Sequence, residues 1–355
     1  MKHPNVHQDW SQWSDDQVLH VAVAYSNPYR WRARRELMHN FRHHMEHTPN
    51  VVLHVGELAY GDRPFEVTDG VSVGAGQDIQ LRSSSALFHK ENILNEVVKR
   101  CFPADWKYGA IIDADFSFMR HDWALEAVHQ LQHHPFVQLF STYANLNART
   151  YGGHKPGQLR KSFAATYVEN GHKLPPAAST NGWTIGKPAV GYAEISAQMV
   201  KAEPEWVPVG ATGGAWSFTR EAFDTVGGLM DRCILGHADW FMTFGLVSEH
   251  ARGMSDARYH PNYIHFIQSW QEKAGALKQN IGFVDQFAVH HFHGAMKNRG
   301  YETRDQILVK YQFDPTADLR QNWQGIYELT GNKPGLRDAI HRYFISRNED
   351  DQADA

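Results

Sequence analysis

Cysteine is nearly absent from this chain: Cys101 and Cys233 are the only two in 355 residues. They stand far apart and in no metal-type spacing, so no disulfide framework and no cysteine-ligated zinc site organises the fold. Two reduced thiols in or near the core are expected, in a reducing compartment. No run of about 18 apolar residues occurs, so the sequence offers no helical membrane span. The opening stretch MKHPNVHQDWSQWSDDQ is polar and aromatic, without the apolar centre of a secretory leader. A soluble, cytoplasmic protein is expected. A positive excess is missing too, with 35 Lys and Arg against 39 Asp and Glu and a net charge of −4. That argues against non-specific coating of nucleic acid, while leaving room for a local basic groove. Internal repeats are absent, and the only biased tract is the acidic tail Asn348–Ala355.

What remains is ordinary globular material: 42% hydrophobic and 21% charged residues, enough to bury a sizeable core. Histidine stands out with 23 residues, several in pairs such as His43-His44, His133-His134 and His290-His291. Most are expected to be surface or packing residues, because position and not number makes a ligand.

The chain alternates between two apolar periods. His20–Tyr25, Val51–Val55 and Tyr108–Ile112 are short, β-branched runs that read as buried strands. Arg34–Met45 carries Leu37, Phe41 and Met45 at helical spacing, and Phe88–Cys101 carries Ile93, Leu94, Val97 and Val98. Strand, helix, strand, helix, strand predicts an α/β fold with an open, mostly parallel sheet flanked by helices. Ligands of such sheets sit beyond the carboxyl ends of the strands. Further elements are expected at 122–132 (helix), 137–141 (strand), 205–218 (strand-rich), 221–226 (helix) and 239–250 (helix). Residues 60–86 read as irregular connection and 145–190 as an insertion or mobile loop. Residues 1–300 form one domain on this reading, and 301–355 a peripheral helical extension.

Four constellations bear chemistry. Asp113-Ala-Asp115 follows an apolar strand directly, and two carboxylates so placed suit a divalent cation and a sugar or ribose hydroxyl. The plainer reading is a turn with two solvated aspartates. His290-His291-Phe292-His293 offers imidazoles that suit Mn²⁺ or Zn²⁺, or else is one more histidine-rich loop. Gly213-Gly214 before Trp216 permits close backbone approach to a ligand, or simply a tight turn beside a buried Trp. Asp239, opening a helix after Gly236-His237-Ala238, is either a cap or a general base.

Taken in order, these segments resemble the β-1,4-galactosyltransferase-like group of GT-A glycosyltransferases over roughly residues 20–300. Pro28-Tyr-Arg-Trp-Arg32 resembles that group's PFRNR segment, and Phe88–Asn95 its FNRAKLLN helix. Asp113-Ala-Asp115 stands where the family has DVD. Gly213-Gly214 with Phe218–Phe223 and Val226–Leu229 resembles GGVSALSKQQF and INGF. Gly236–Asp239 falls at GGED, and His293 with Lys297-Asn298 resembles the metal histidine and DKKN. The resemblance implies a GT-A fold and a metal-dependent, inverting transfer from a nucleotide-diphosphate sugar, expected to be UDP-linked. It implies Asp115 and His293 as ligands of Mn²⁺ or Mg²⁺, with Asp113 at the metal or the donor sugar, and leaves open whether His291 takes the place of His293. It implies Pro28, Arg30, Arg32, Gly213, Gly214 and Trp216 around the donor and Asp239 as catalytic base.

The departures matter as well. The family's GWGGEDDD is here Ile234-Leu-Gly-His-Ala-Asp-Trp-Phe241, so galactose and GlcNAc do not carry over. The acceptor stays open between a glycan, a protein and a hydroxylated DNA base. A non-catalytic nucleotide-sugar or glycan-binding protein is the alternative from another class.

Overall fold

The structure, a computed structural model, describes residues 18–68, 77–146, 156–175, 209–254, 256–301 and 303–351. Its thirteen described strands are β1 (Leu19–Ser26), β2 (Val51–Tyr60), β3 (Ile79–Ser83), β4 (Tyr108–Ile112), β5 (Phe116–Phe118), β6 (Phe136–Gln138), β7 (Thr142–Leu146), β8 (Pro156–Lys161), β9 (Ala215–Thr219), β10 (Ile281–Phe283), β11 (Phe287–His290), β12 (Leu319–Gln321) and β13 (Tyr327–Leu329). Seven of them make a sheet in the order β10-β6-β9-β4-β1-β2-β3. Every pairing in it is parallel except those of β9 with β4 and β6.

Alternation along β1 explains why both faces of this sheet are covered. Leu19, Val21, Val23 and Tyr25 join a core with Met38 and Phe41 of helix Arg32–Glu46 and with Trp123 of helix Trp123–Leu131. Ala22 faces the other way, into a core with Ile93, Leu94 and Val97 of helix Lys90–Cys101. Cys101 and Cys233 are buried and unpaired. Within the described residues no helix is long and apolar enough to cross a membrane.

The sheet fixes where a ligand would go. β1 has β2 on one side and β4 on the other, so the chain crosses over in opposite directions there. A crevice opens at the carboxyl ends of strands flanking such a switch. Ser26-Asn27 ends β1 and Asp113 follows β4. A second, four-stranded sheet, β5-β11-β7-β8, stands just beyond Asp113.

Several expectations need correction. Residues 60–86 are not wholly irregular, since β3 lies among them as the edge strand. Residues 156–169 of the supposed mobile loop form β8 and helix Phe163–Glu169, whose N-terminus Ser162 caps by accepting from the Ala165 N–H. The remaining parts of that loop, 147–155 and 176–190, lie outside the described residues, as do 201–208 and the end of the tail, 352–355. The strand expected at 137–141 ends at Gln138. The helix expected over 239–250 ends at Leu246, with a separate turn at His250–Gly253.

Residues 301–355 are neither all helical nor peripheral. They hold helices Asp305–Lys310 and Pro334–Ser346 and the hairpin β12-β13. Ile326, Leu336 and Ile340 enter the main core, and Glu349 of the acidic tail is buried. Local composition marks Glu349 as solvated; Arg34, Arg347 and His293 beside it make it the opposite.

Candidate metal centre

Strand pairing assembles the site. β11 runs antiparallel to β5, with His290 opposite Phe116, and the His291 N–H donates to the Asp115 carbonyl at 2.7 Å. Asp115 directly precedes β5, so the end of β11 is held beside it. Asp115 Oδ2 then lies 3.5 Å from His290 Nε2 and 2.7 Å from His293 Nε2. The three residues offer one carboxylate oxygen and two imidazole nitrogens within 4.8 Å of one another. His291 turns elsewhere, its Nε2 2.8 Å from Ser117 Oγ. The question between His291 and His293 thus falls to His293, with His290 as the ligand that sequence reasoning passed over. The i, i+3 spacing of His290 and His293 across the turn after β11 was the available signal.

His290 is oriented from behind. His290 Nδ1 lies 2.7 Å from Asn145 Oδ1. A carbonyl oxygen can only accept, so Nδ1 carries the proton and Nε2 is left with its lone pair toward Asp115. Burial, and then the neighbouring Arg299 charge, push the His293 imidazole down to about 4 against the pull of Asp115. It is neutral at physiological pH, the ligating form. Burial alone would raise Asp115, but the two adjacent imidazoles bring it well below the usual carboxylate range.

Two features show that this donor set fits a cation. Asp115 Oδ1 is buried with no hydrogen-bond partner, and an orphaned carboxylate oxygen is costly. His293 Nε2 also lies within bonding distance of both Asp115 Oδ2 and the Arg299 Nη2 donor at 3.0 Å. One ring nitrogen cannot donate to the first and accept from the second at once. With Nε2 accepting from Arg299, two lone pairs face one another at 2.7 Å, a repulsion that a divalent ion between His293 and Asp115 would relieve once Arg299 turned its N–H aside.

Asp113 stands next to the triad in a different environment. Lys90, from the first turn of helix Lys90–Cys101, donates to its two oxygens at 2.9 and 3.3 Å. Burial is the main cause that raises Asp113, with Asp115 and Asp239 adding repulsion and Lys90 opposing. Glu91 is likewise raised to about 7 by burial, and Asp239 is among the charges acting on it. Lys90, which the sequence marks only as part of a helix, is the cation among these carboxylates.

Asp239 faces the same place from the other side. It is not a cap: the N-cap position belongs to His237, which makes no side-chain capping bond. Asp239 lies inside the first turn, where the helix N-terminus favours a carboxylate, and Thr212 Oγ1 donates to its Oδ2 at 3.2 Å.

The glycines serve protein groups instead of a ligand. A Cβ on Gly213 would come within 2.5 Å of Asp239 Oδ2, and one on Gly214, at φ +95°, within 2.5 Å of the Phe116 ring. On the side where a Gly214 Cβ would point, the Phe116 ring fills the space. Trp216 is buried in β9, its indole N–H donating to the Thr212 carbonyl at 2.8 Å.

The turn after β1 also departs from expectation. Arg30 and Arg32 are exposed, and Arg32 pairs with Glu36 at 3.4 Å. Pro28 is half-buried, its carbonyl accepting from Arg63 Nη1 at 2.6 Å. The cation that turns inward is Arg34, which donates to the Ser26 carbonyl and to both oxygens of Glu349. At the start of helix Arg32–Glu46 the Arg32 and Ala33 N–H groups donate to Asp350 at 2.9 and 2.8 Å. A position where an anion would be welcome is thus taken by the chain's own carboxylate.

A broad, shallow cleft of ≈ 990 Å³ lies at the opposite end of β4, lined by Trp106, Tyr108, Thr219 and Arg220. It holds no group of the triad, and the chemistry stands at the carboxyl ends. No family model matches the chain, and no curated protein matches it.

Proposed function

We propose that the protein is a metal-dependent, inverting glycosyltransferase of the GT-A type, acting on a nucleotide-diphosphate sugar. The observation that carries this reading is the Asp115–His290–His293 set, with its orphaned Asp115 oxygen, at the carboxyl end of β4 beside Asp113, Lys90 and Asp239. Asp115, His290 and His293 would hold Mn²⁺ or Mg²⁺, the nitrogen ligands favouring Mn²⁺. Such an ion supplies charge neutralisation to a departing diphosphate.

The residues of this chain do the rest. Lys90 holds Asp113 in place to accept from a donor hydroxyl. Asp239, fixed by Thr212 and by its helix turn, is the base that takes the proton from the attacking acceptor hydroxyl. Positioning of the two reactants supplies much of the acceleration. UDP-linked sugars are the first donors to try, and the acceptor is a hydroxyl-bearing glycan, protein or modified base.

Binding and slow hydrolysis across a panel of nucleotide sugars, with Mn²⁺ and then with chelator, test the proposal. Metal-dependent binding of one donor supports it. No binding of any donor in the presence of metal refutes it.

A further inference from the structure

Three arginines near the end of the chain have no part in the reading above. Arg299, Arg304 and Arg347 are 9%, 6% and 7% exposed, and the Nε of each is buried with no hydrogen-bond partner. All three converge on Tyr301. Arg299 Nη1 donates to the Tyr301 hydroxyl at 3.2 Å, and the Arg304 guanidinium lies 5.0 Å over its ring. Burial would raise the Tyr301 phenol, but the charges of Arg299, Arg304 and Arg347 lower it.

Among the described residues, carboxylates balance this charge only in part: Asp115 and Glu349 act on Arg299, and Asp239 on Arg304, without a direct pair. Glu349 pairs with Arg347 at 2.8 Å but also serves Arg34. Among the described residues, Arg299 and Arg304 make no carboxylate salt bridge. Buried guanidiniums without a directly paired anion are costly, and clustered charges of this kind are found at functional sites.

The cluster also stands where a phosphoryl group would be needed. Arg299 Nη2 is 3.0 Å from His293 Nε2. Arg304 lies against Gly236, where a Cβ would come within 3.0 Å of its Nη1, and Gly236 leads into the turn that carries Asp239. The arginines thus border both the metal ligands and the proposed base.

We propose that Arg299, Arg304 and Arg347 form an anion pocket for a phosphoryl group, one that does not require the metal, with the Tyr301 hydroxyl as the group the anion displaces. The planar guanidinium fork matches phosphoryl oxygens in pairs. Tyr301 is 40% exposed, so the cover over the cluster is a side chain with solvent to turn into. Whether the phosphoryl group belongs to a donor diphosphate or to a phosphorylated acceptor rests on the transferase reading; the pocket itself does not.

The test uses the full chain in chelator, with inorganic pyrophosphate as the probe, followed by calorimetry and thermal melting. The wild-type protein is expected to bind pyrophosphate and to melt higher in its presence. Arg304→Gln is expected to weaken that binding about tenfold or more, the loss of charged hydrogen bonds, with Arg304→Lys recovering part of it. Affinity for Mn²⁺ alone stays unchanged in both variants. Tyr301→Phe, which removes the competing hydroxyl, is expected to tighten pyrophosphate binding and decides the matter if Arg304→Gln does not fold. Displacement of pyrophosphate by UDP assigns the site to the donor; displacement by glycerol phosphate but not UDP assigns it to the acceptor. No pyrophosphate binding by wild type in chelator overturns the pocket, as does wild-type affinity in folded Arg304→Gln or unchanged affinity in Tyr301→Phe. Pyrophosphate binding without metal-dependent uptake of any nucleotide sugar keeps the pocket and removes the transferase.

Discussion

Glu349 joins Arg34 to the metal-facing histidine: its carboxylate accepts from Arg34 at 2.5 and 2.8 Å, and its Oε2 lies 3.9 Å from His293 Nδ1. The end of the chain is thereby fastened behind the site that β4 and β11 create. Arg347 adds a second guanidinium at 2.8 Å. Glu349→Gln leaves two arginines without their shared buried charge and is expected to cost about 3–5 kcal/mol. Chemical denaturation of the variant at neutral pH measures this.

The same residue sets an acid limit. Burial opposes ionisation of Glu349, but Arg34 and then Arg347 outweigh it and hold the carboxyl at about 2, below its ordinary 4.5. A carboxylate depressed in the folded state contributes stability that is present above its unfolded value and lost as pH falls through its folded value. Glu349 therefore accounts for a loss of stability between about 4.5 and about 2. The Gln variant is expected to show a shallower decline over that window in urea titrations.

Three imidazoles in or at the edge of the core act at milder pH. Burial lowers His20, His54 and His89 from 6.5 to about 4. Between those values the unfolded chain binds more protons than the folded one, so stability falls as pH drops from 6.5 toward 4. His44 and His293 are lowered by burial as well, whereas Glu91, raised to about 7, and Asp113 and Asp231, also raised by burial, act with the opposite sign, three groups against five. The urea midpoint is expected to be lower at pH 5 than at pH 7. An equal or higher midpoint at pH 5 contradicts this assignment.

Much of the framework was legible because it is local. The runs His20–Tyr25 and Tyr108–Ile112 carry strand chemistry within themselves, and the second delivers Asp113-Ala-Asp115 to a strand end without help from distant residues. His293 comes from the family resemblance, which leaves His291 open in its place. Lys90 as the partner of Asp113 and Glu349 behind His293 could not be read this way. Each depends on a pairing across a long stretch of sequence, and nothing in the local pattern of a helix or an acidic tail encodes its partner. The turn at Pro28–Arg32 shows the converse. Its basic residues suggested a nucleotide pocket, but Arg30 and Arg32 face solvent while Arg34, one helical step on, turns inward.

Asp239→Asn keeps the size and the Thr212 contact but removes the base. Donor binding is expected to stay within error, and transfer to fall by about 10²–10⁴-fold, the usual worth of general base catalysis. Unchanged turnover with the natural acceptor removes Asp239 from the chemistry.

The most direct test of the central claim is calorimetric titration of nucleotide sugars into wild-type and Asp115→Asn protein, with Mn²⁺ and with chelator. The account predicts that wild type binds one donor far more tightly with Mn²⁺ than in chelator, and that Mn²⁺ brings no such gain to Asp115→Asn. Equal donor affinity in Asp115→Asn, or no donor bound by wild type with Mn²⁺ present, contradicts it.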